Sequence, residues 1–385
     1  MAQLDDGHPR MNDARARLRY LDRTIGLLFP GPGEPLPYTL LPHRLVPRRL
    51  VPRAWWHPGG KVVVPSGRDT IQTHLSEVLG TPVRVTLHVR PARRANRKPI
   101  LRAHGPEGTV AFVKIGDTDR TRELVAHEAR TLGLLAGVPL KHVTAPVALH
   151  HGSWRGLSVL ALTPLPVRRG RISHDLLRDA IGEIARIPDL VPGAGRGGAG
   201  DVPRVGTIGA GTGGTGTGGT GTGGTGRGGD VPWAGTGGAG RGEDVPWAER
   251  RPAGGSRPRE HPCSRERFAW HGDLAPWNIS RGPDDRLLVW DWERFGTGVP
   301  LGFDAVHHFF HRTLRRNGPL TTAEACLAQA LPVLGPFGLS AAEARLTALR
   351  YLITLADRYA ADGHSPLGSP DLWLSPVVDR QEVLL

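Results

Sequence analysis

Cysteine is nearly absent from this sequence, which has two in 385 residues. Cys263 and Cys326 offer neither a disulfide framework nor a metal-binding spacing, which excludes the small disulfide-stabilised secreted domains. Every apolar run falls well short of the roughly 18 residues that a transmembrane helix needs. The acidic amino terminus also lacks the apolar core of a signal peptide. Together these absences predict a cytoplasmic protein.

Lysine is also scarce. Only Lys61, Lys98, Lys114 and Lys141 occur among the 49 basic residues, so the other 45 are arginines. The formal net charge of +13 often indicates a nucleic-acid or membrane surface. Here the arginines are scattered along the chain, as expected from GC-rich codon usage. We therefore expect no dedicated nucleic-acid partner and no membrane partner, and a basic cleft that attracts a polyphosphate explains the charge equally well.

Composition divides the chain into an arm, an ordered domain and an insertion. Residues 1–75 are rich in Pro and Arg and are interpreted as an extended arm or cap. Residues 193–262 contain repeated Gly-Thr units, which cannot bury enough apolar surface to offset the entropy of ordering, so we predict a disordered insertion. This glycine run lacks the Gly-Lys-Ser/Thr ending of a phosphate loop. The ordered domain is then expected in residues 76–166, 167–192 and 263–385.

The ordered regions predict a small sheet with one helix, followed by a mainly helical remainder. Residues 119–135 place apolar side chains on one stripe and predict a helix, and Ser173 is typical of the N-cap of a second helix. Strands are predicted at residues 83–89, 99–103, 110–115, 157–163 and 287–290. This element order indicates an α+β fold.

The most informative segment runs from His271 to Asn278 and reads His-Gly-Asp-Leu-Ala-Pro-Trp-Asn. Asp291 follows beyond a turn and a strand, so a hairpin-like return can bring it beside Asn278. Phosphoryl transfer requires an oriented hydroxyl and neutralised phosphate charge, and Mg²⁺ prefers hard oxygen ligands. The pattern therefore predicts Asp273 as the carboxylate that accepts or orients the hydroxyl proton, with Asn278 and Asp291 as metal ligands. The alternative is a loop whose Asp and Asn side chains only cap the backbone.

This motif, followed by Asp-Trp-Glu, resembles the aminoglycoside phosphotransferase and choline kinase superfamily. The resemblance implies a two-lobed, protein-kinase-like α+β fold. Its small N-lobe has an antiparallel sheet and one helix, and its larger C-lobe is mainly helical. It also implies that Asp273 is the catalytic base, that Asn278 and Asp291 bind Mg²⁺, and that ATP is the phosphoryl donor.

Three further residues are expected to support the motif. His271 braces the loop by hydrogen bonding, while Glu293 either supports the metal site or forms an exposed ion pair. Asp304 resembles the family's aspartate at a helix start, which holds the catalytic loop and is compatible with a plain N-cap role. The histidines that follow have no carboxylate or cysteine at metal-binding spacing, and we interpret them as ordinary helix-face residues. They are His307, His308 and His311.

Lys114 is the predicted anchor for the nucleotide phosphates. It is the single lysine in an apolar strand segment, where an edge-strand charge is the alternative. A kinase pairs such a lysine with a helical glutamate. Glu128 lies on the apolar stripe of the next helix, where an unpaired charge is costly, so it is the expected partner. Glu123 is the alternative partner.

The remaining nucleotide contacts are expected from a basic loop and from the segment after the last strand of the sheet. Asn96, Arg97 and Lys98 stand where protein kinases have a Gly-rich loop, and they either grip phosphates or form a solvated turn. Adenine is expected near Thr163 and Leu165, where backbone groups can pair with its edge.

The sequence thus predicts an ATP- and Mg²⁺-dependent phosphotransferase acting on a hydroxyl of a small molecule. The resemblance implies an aminoglycoside, an amino sugar, a choline-like compound or a related metabolite. Few acidic residues could contact a cationic acceptor, so an antibiotic is not favoured over a metabolite. The candidates are Glu324, Glu343, Asp357 and Asp362. The alternatives are a nucleotide-binding pseudokinase, against which the intact site residues argue, and an Arg/Gly-rich scaffold protein. Oligomeric state is not indicated.

Overall fold

The computed structural model describes most of the predicted ordered domain and parts of the arm. The described residues are 20, 22–31, 35–39, 61–65, 67, 69–88, 97–168, 170–190, 267–363 and 365–382. The predicted insertion at residues 193–262 lies outside them, as do Asn96 and Cys263. Within these ranges, no helix combines the length and apolarity needed to span a bilayer.

Strands dominate the amino-terminal part of the described chain and helices dominate the carboxyl-terminal part. The strands are β1 (Pro35–Thr39), β2 (Lys61–Pro65), β3 (Arg84–His88), β4 (Ile100–Gly105), β5 (Gly108–Gly116), β6 (Val143–Thr144), β7 (Ala148–Trp154), β8 (Leu157–Leu162), β9 (Phe268–Trp270), β10 (Ile279–Arg281), β11 (Leu287–Val289) and β12 (Gly296–Val299). The helices are α1 (22–28), α2 (Ile71–Val78), α3 (Asp119–Leu135), α4 (His174–Ala185), α5 (Ile187–Leu190), α6 (Phe303–Leu314), α7 (Pro319–Ala328), α8 (Ala330–Leu334), α9 (Ala341–Ala361), α10 (Pro370–Trp373) and α11 (Ser375–Glu382). This is the mixed composition that the sequence predicts.

A five-stranded antiparallel sheet has the order β3-β4-β5-β8-β7. Side chains alternate across a strand, so β5 buries Ala111, Val113 and Ile115 on one face of the sheet and directs Lys114 to the other. Helix α3 packs against that second face and carries Glu128. The alternation in β5 therefore sets Lys114 against α3.

The elements predicted from periodicity and capping are confirmed. The predicted strands correspond to β3, β4, β5, β8 and β11, and the predicted helix is α3. Thr118 begins α3 by accepting a hydrogen bond from the Thr121 amide at 3.2 Å. The Ser173 hydroxyl accepts from the Leu176 amide at 3.2 Å, so the predicted N-cap of α4 is present.

Part of the predicted arm belongs to the core beneath the sheet. Leu28, Phe29, Ile71 and Leu75 are at most 4% exposed and join the cluster formed by the sheet's inner face. Helix α2 spans the boundary predicted between residues 75 and 76. The amino-terminal unit therefore includes described residues from both sides of that boundary.

The carboxyl-terminal part is centred on large aromatic side chains. Trp292, Phe310, Tyr351 and Trp373 are each at most 2% exposed, and burial of such a side chain typically stabilises a fold by roughly 1.5–3 kcal/mol. At the edge of this core, β9 pairs with β12 and β10 pairs with β11, both antiparallel. Strand β11 also pairs in parallel with β6, which follows α3. These short strands fix the ends of two loops that carry the candidate site.

Candidate active site

The first site loop, residues 271–278, is held by hydrogen bonds to a residue at the start of α6. One carboxylate oxygen of Asp304 accepts from the His271 amide at 2.7 Å and the other accepts from the Gly272 amide at 3.2 Å. Burial raises the pKa of Asp304 to about 7, and these two N–H groups act in the opposite direction. Asp304 thus makes the loop-holding contacts that the resemblance implies for it.

Asp273 is the partly exposed member of a buried set of groups. Its backbone amide donates to Nδ1 of His271 at 3.1 Å. Burial lowers the pKa of His271 to about 4, so the ring is neutral and its Nδ1 can accept. The Asp273 side chain is 27% exposed, whereas His271 is fully buried. A substrate can therefore approach the Asp273 carboxylate while His271 braces its backbone.

Asn278 is oriented by Asp273 and leaves its amide oxygen unused. Its Nδ2 donates to the Asp273 carbonyl at 2.8 Å and to Asp273 Oδ2 at 2.9 Å. Its Oδ1 is buried and has no hydrogen-bond partner among the described residues. A buried polar atom without a partner is costly, and a hard oxygen of this kind suits a divalent cation.

The β10–β11 hairpin brings the second loop back to Asn278, as predicted. Ile279 pairs with Val289, and the Trp290 amide donates to the Asn278 carbonyl at 3.1 Å. Asp291 follows directly and has the left-handed backbone conformation φ 75°, ψ 50°, which is uncommon for a residue other than glycine. The hairpin therefore places Asp291 one residue from the position opposite Asn278.

Lys114 lies between Glu128 and Asp291. Its Nζ is 2.7 and 2.5 Å from the two Glu128 carboxylate oxygens and 2.5 Å from Asp291 Oδ1. Burial by itself lowers the pKa of the Lys114 ammonium, but Asp291 and Glu128 raise it above its ordinary value, so the group is charged. Glu123, the alternative partner, contacts Arg120 at the surface instead.

Three carboxylates surround this ammonium group. Glu128, Asp291 and Glu293 each have an oxygen within 4.8 Å of the others, a grouping that can hold a metal ion. These donors are oxygens, as is the unused Oδ1 of Asn278, and oxygen is the ligand type that Mg²⁺ prefers. In donor type the residues present therefore fit a divalent cation, although Lys98 and Lys114 pair with the three carboxylates in this structure.

Lys98, one of the two described residues of the basic loop, has a different environment from that of a solvated turn. Lys98 is 6% exposed and forms an ion pair with Glu293, which is itself mostly buried. The alternatives of a solvated Lys98 and an exposed Glu293 pair are therefore wrong. The Arg97 guanidinium stacks over the Tyr20 ring, 3.7 Å from its centroid. A direct phosphate contact by Arg97 would have to compete with that stacking.

Two of the polar groups in the segment predicted to bind adenine already form hydrogen bonds within the protein. The Thr163 amide donates to the Val147 carbonyl at 2.9 Å, and the Thr163 hydroxyl accepts from the Val147 amide at 2.9 Å. Adenine pairing here would therefore have to use the Thr163 carbonyl or Leu165, which is partly exposed.

Three histidines of α6 face the first loop, and their interpretation as helix-face residues that bind no metal stays a prediction. His307 Nε2 lies 3.1 Å from Asp273 Oδ1, and His308 Nδ1 lies 3.2 Å from a backbone carbonyl of the loop. The His311 ring packs edge-on against Trp277, with centroids 5.3 Å apart. These side chains form a wall beside the candidate base.

The sequence contains a signal for this wall. The three histidines follow Asp304 by three, four and seven residues, which places all four side chains on one side of a helix. Because Asp304 is predicted to hold the loop, residues on the same side are expected to reach it too.

The acidic residues considered for a cationic acceptor are mostly occupied elsewhere. Asp362 is bound by Arg120 and Arg294, with an Arg120 Nη2–Oδ1 distance of 2.7 Å. Glu343 closes the capping box of α9, and Asp357 is exposed. The structure thus gives no support to an acidic acceptor wall built from these three residues.

Gly272 is needed for the close approach of the two loops. Its φ is +79°, and a Cβ at this position would overlap the carbonyl oxygen of Arg294. Gly298 also has positive φ, +87°, but a Cβ there would meet no atom within 4 Å. Gly298→Ala is expected to cost roughly 1–2 kcal/mol of unfolding free energy, the conformational penalty alone.

Gly272→Ala is expected to cost clearly more than Gly298→Ala because it adds a backbone collision to the same penalty. Urea unfolding of both variants measures the difference. Equal losses would show that the loops can separate without cost.

The chain matches no protein-family model and no curated protein. Among solved structures it is similar to a candidate fructosamine-3-kinase from Haemophilus somnus 129PT. The two are 12% identical, the similarity covers 76% of this chain and 90% of the other, and the TM-score is 0.40. Similarity at this level assigns no family to the chain.

Proposed function

We propose that this chain is a cytoplasmic, Mg²⁺-dependent phosphotransferase that moves the γ-phosphoryl group of ATP to a hydroxyl of a small molecule. In this proposal the sheet with α3 is the N-lobe of a kinase-like fold, the helical part is the C-lobe, and the chain belongs to the superfamily that its motif resembles. The observation that supports it most is a pair of side-chain contacts on two loops joined by a backbone hydrogen bond. Lys114 contacts Asp291, Asn278 contacts Asp273, and the Trp290 amide donates to the Asn278 carbonyl.

The proposed chemistry requires one proton acceptor and one set of charged groups. The acceptor oxygen forms a bond to the γ-phosphorus as the bond from that phosphorus to the β,γ-bridging oxygen breaks. The hydroxyl proton passes to the Asp273 carboxylate, and ADP leaves with the bonding electron pair. Lys114, held by Glu128, is proposed to contact the phosphates.

Asn278 Oδ1 and the Asp291 carboxylate are the proposed ligands of Mg²⁺. When bound, this cation supplies neutralisation of the phosphate charge. Two donations from Asn278 Nδ2 to Asp273 turn the amide so that Oδ1 is left for this role. Asn278 thereby connects the proposed base to the proposed metal site.

An acceptor screen tests this function. Purified protein with Mg²⁺ and ATP is offered sugars, sugar phosphates, hydroxy acids, choline-like alcohols and aminoglycosides, and acceptor-dependent ADP release is followed by mass spectrometry of the product. We expect a phosphorylated acceptor, and about 10²–10⁴-fold slower product formation by Asp273→Asn.

Two outcomes of the screen contradict the proposal in different ways. Protein that binds Mg-ATP but phosphorylates nothing in the panel would favour the alternative of a nucleotide-binding pseudokinase. Protein that binds no nucleotide has neither function.

A further inference from the structure

Asp273 is connected to the core of the helical part through two buried polar side chains. His307 Nε2 is 3.1 Å from Asp273 Oδ1, and His307 Nδ1 is 3.1 Å from the Tyr351 hydroxyl on α9. His307 and Tyr351 are both 0% exposed. An aspartate, a histidine and a tyrosine thus form one continuous chain of contacts.

The partners of His307 decide which of its nitrogens carries the proton. Burial, with the charge of Arg358 nearby, lowers the pKa of His307 well below its ordinary value, so the ring is neutral and has a single N–H. An ionised carboxylate only accepts, so the proton is assigned to Nε2, which faces Asp273. Nδ1 then accepts from Tyr351.

The tyrosine is a suitable donor for this arrangement. Burial raises the pKa of Tyr351 well above its ordinary value, so the phenol keeps its proton. The hydrogen bonds therefore run in one direction, from Tyr351 through His307 to Asp273. Each polar side-chain atom of these three residues has a hydrogen-bond partner.

The Asp273 carboxylate is consequently held from both sides. His307 donates to Oδ1 and Asn278 donates to Oδ2, at 3.1 and 2.9 Å. Two donors on different oxygens prevent rotation of the carboxylate, while each oxygen keeps a second lone pair that can accept a hydroxyl proton. The geometry of the proposed base is thus set by residues that do not reach the substrate themselves.

We propose that His307 and Tyr351 are positioning residues that fix the Asp273 carboxylate for proton acceptance, an inference that rests on the proposed phosphotransfer. Such supporting hydrogen bonds typically change activity by about 10–100-fold. His307→Leu is therefore expected to lower kcat by about 10–100-fold with little change in the KM for ATP. Tyr351→Phe removes one hydroxyl from the far end of the chain and is expected to have a smaller effect.

Rescue and non-additivity separate positioning from a merely structural role. His307→Gln keeps an N–H donor near the place of Nε2 and is expected to recover much of the lost kcat. Because Tyr351 acts only through His307, adding Tyr351→Phe to His307→Leu should lower kcat no further. His104→Leu, which removes a histidine contact to Thr86 in the sheet, is the matched control and should leave kcat near that of the parent.

The test has a readout that does not depend on turnover. Imidazole ¹⁵N NMR of the full chain, with the His307 signal assigned through His307→Gln, is expected to show a neutral ring protonated at Nε2. Kinetics use Mg-ATP with water as the acceptor, so no identified substrate is needed. An Nδ1–H or charged ring overturns the proposal, as do Leu and Gln variants with equal kcat.

Metal binding is the alternative role for these side chains that the test must distinguish. Asp273, His307 and His311 each have a donor atom within 4.8 Å of the others. Stoichiometric zinc binding that His307→Gln abolishes would overturn the positioning role, because a metal-bound Nε2 carries no proton. A parent protein with the expected tautomer that neither hydrolyses Mg-ATP nor phosphorylates any acceptor of the screen would contradict the proposed phosphotransfer alone.

Discussion

Asp273→Asn is expected to lower turnover by about 10²–10⁴-fold, the usual contribution of a positioned acid–base group. The replacement removes the charge but keeps the shape, so Asn278 can still donate to the remaining oxygen. Mg-ATP affinity is expected to change little, because the proposed phosphate and metal contacts come from Lys114, Asn278 and Asp291. Calorimetric titration with Mg-ATP, alongside turnover, measures both quantities.

Asp179→Asn is the matched control for the loss of one carboxylate. Asp179 is partly exposed on α4 and pairs only with Arg178 among the contacts described. Asp179→Asn should leave both the turnover and the Mg-ATP affinity unchanged. If Asp273→Asn turns over like the parent, Asp273 is not the base. If the variant loses Mg-ATP affinity by the same factor as turnover, Asp273 acts in metal binding instead.

Lys114→Ala is expected to weaken Mg-ATP binding or turnover by about 100-fold or more. One charge-assisted hydrogen bond to phosphate contributes roughly 1.5–3 kcal/mol, and the replacement also leaves Glu128 and Asp291 without their shared cation. Breaking such a buried pair typically costs about 3–5 kcal/mol of stability. Thermal unfolding therefore accompanies the binding measurement, so that binding is compared only where the variant is folded.

Lys98→Ala and Lys141→Ala provide graded controls for the loss of Lys114. Lys98 compensates a single carboxylate, Glu293, so its removal is expected to have a mild effect. The Lys141 side chain is exposed, and its removal should have none. Equal small losses for Lys98→Ala and Lys114→Ala would place the phosphate anchor elsewhere.

The sequence allowed prediction of those parts of the site that depend on local spacing. The interval between Asn278 and Asp291 contains one turn and one strand, and a short hairpin is the simplest way to connect them. The apolar stripe of α3 singles out Glu128 because a buried carboxylate needs a cation. Both predictions, the hairpin and the need of Glu128 for a cation, depend only on residues that are close together in the sequence.

Contacts between distant elements were not predictable in the same way. Tyr351 reaches His307 across 44 positions of sequence, and nothing in the composition of α9 distinguishes this tyrosine from an ordinary core residue. The burial of Lys98 against Glu293 spans 195 positions. Both depend on how the helical part packs against the sheet, which no local pattern specifies.

The contact between Lys114 and Asp291 has a thermodynamic consequence for the proposed function. An ammonium group already lies on the carboxylate that is proposed to bind Mg²⁺, so the two cations compete for Asp291. Nucleotide phosphates offer Lys114 another anionic partner and thereby free Asp291. Metal and nucleotide are then positively coupled, and by linkage each raises the affinity of the other by the same factor. We therefore expect the proposed site to bind a divalent cation weakly on its own and more tightly together with the proposed phosphoryl donor.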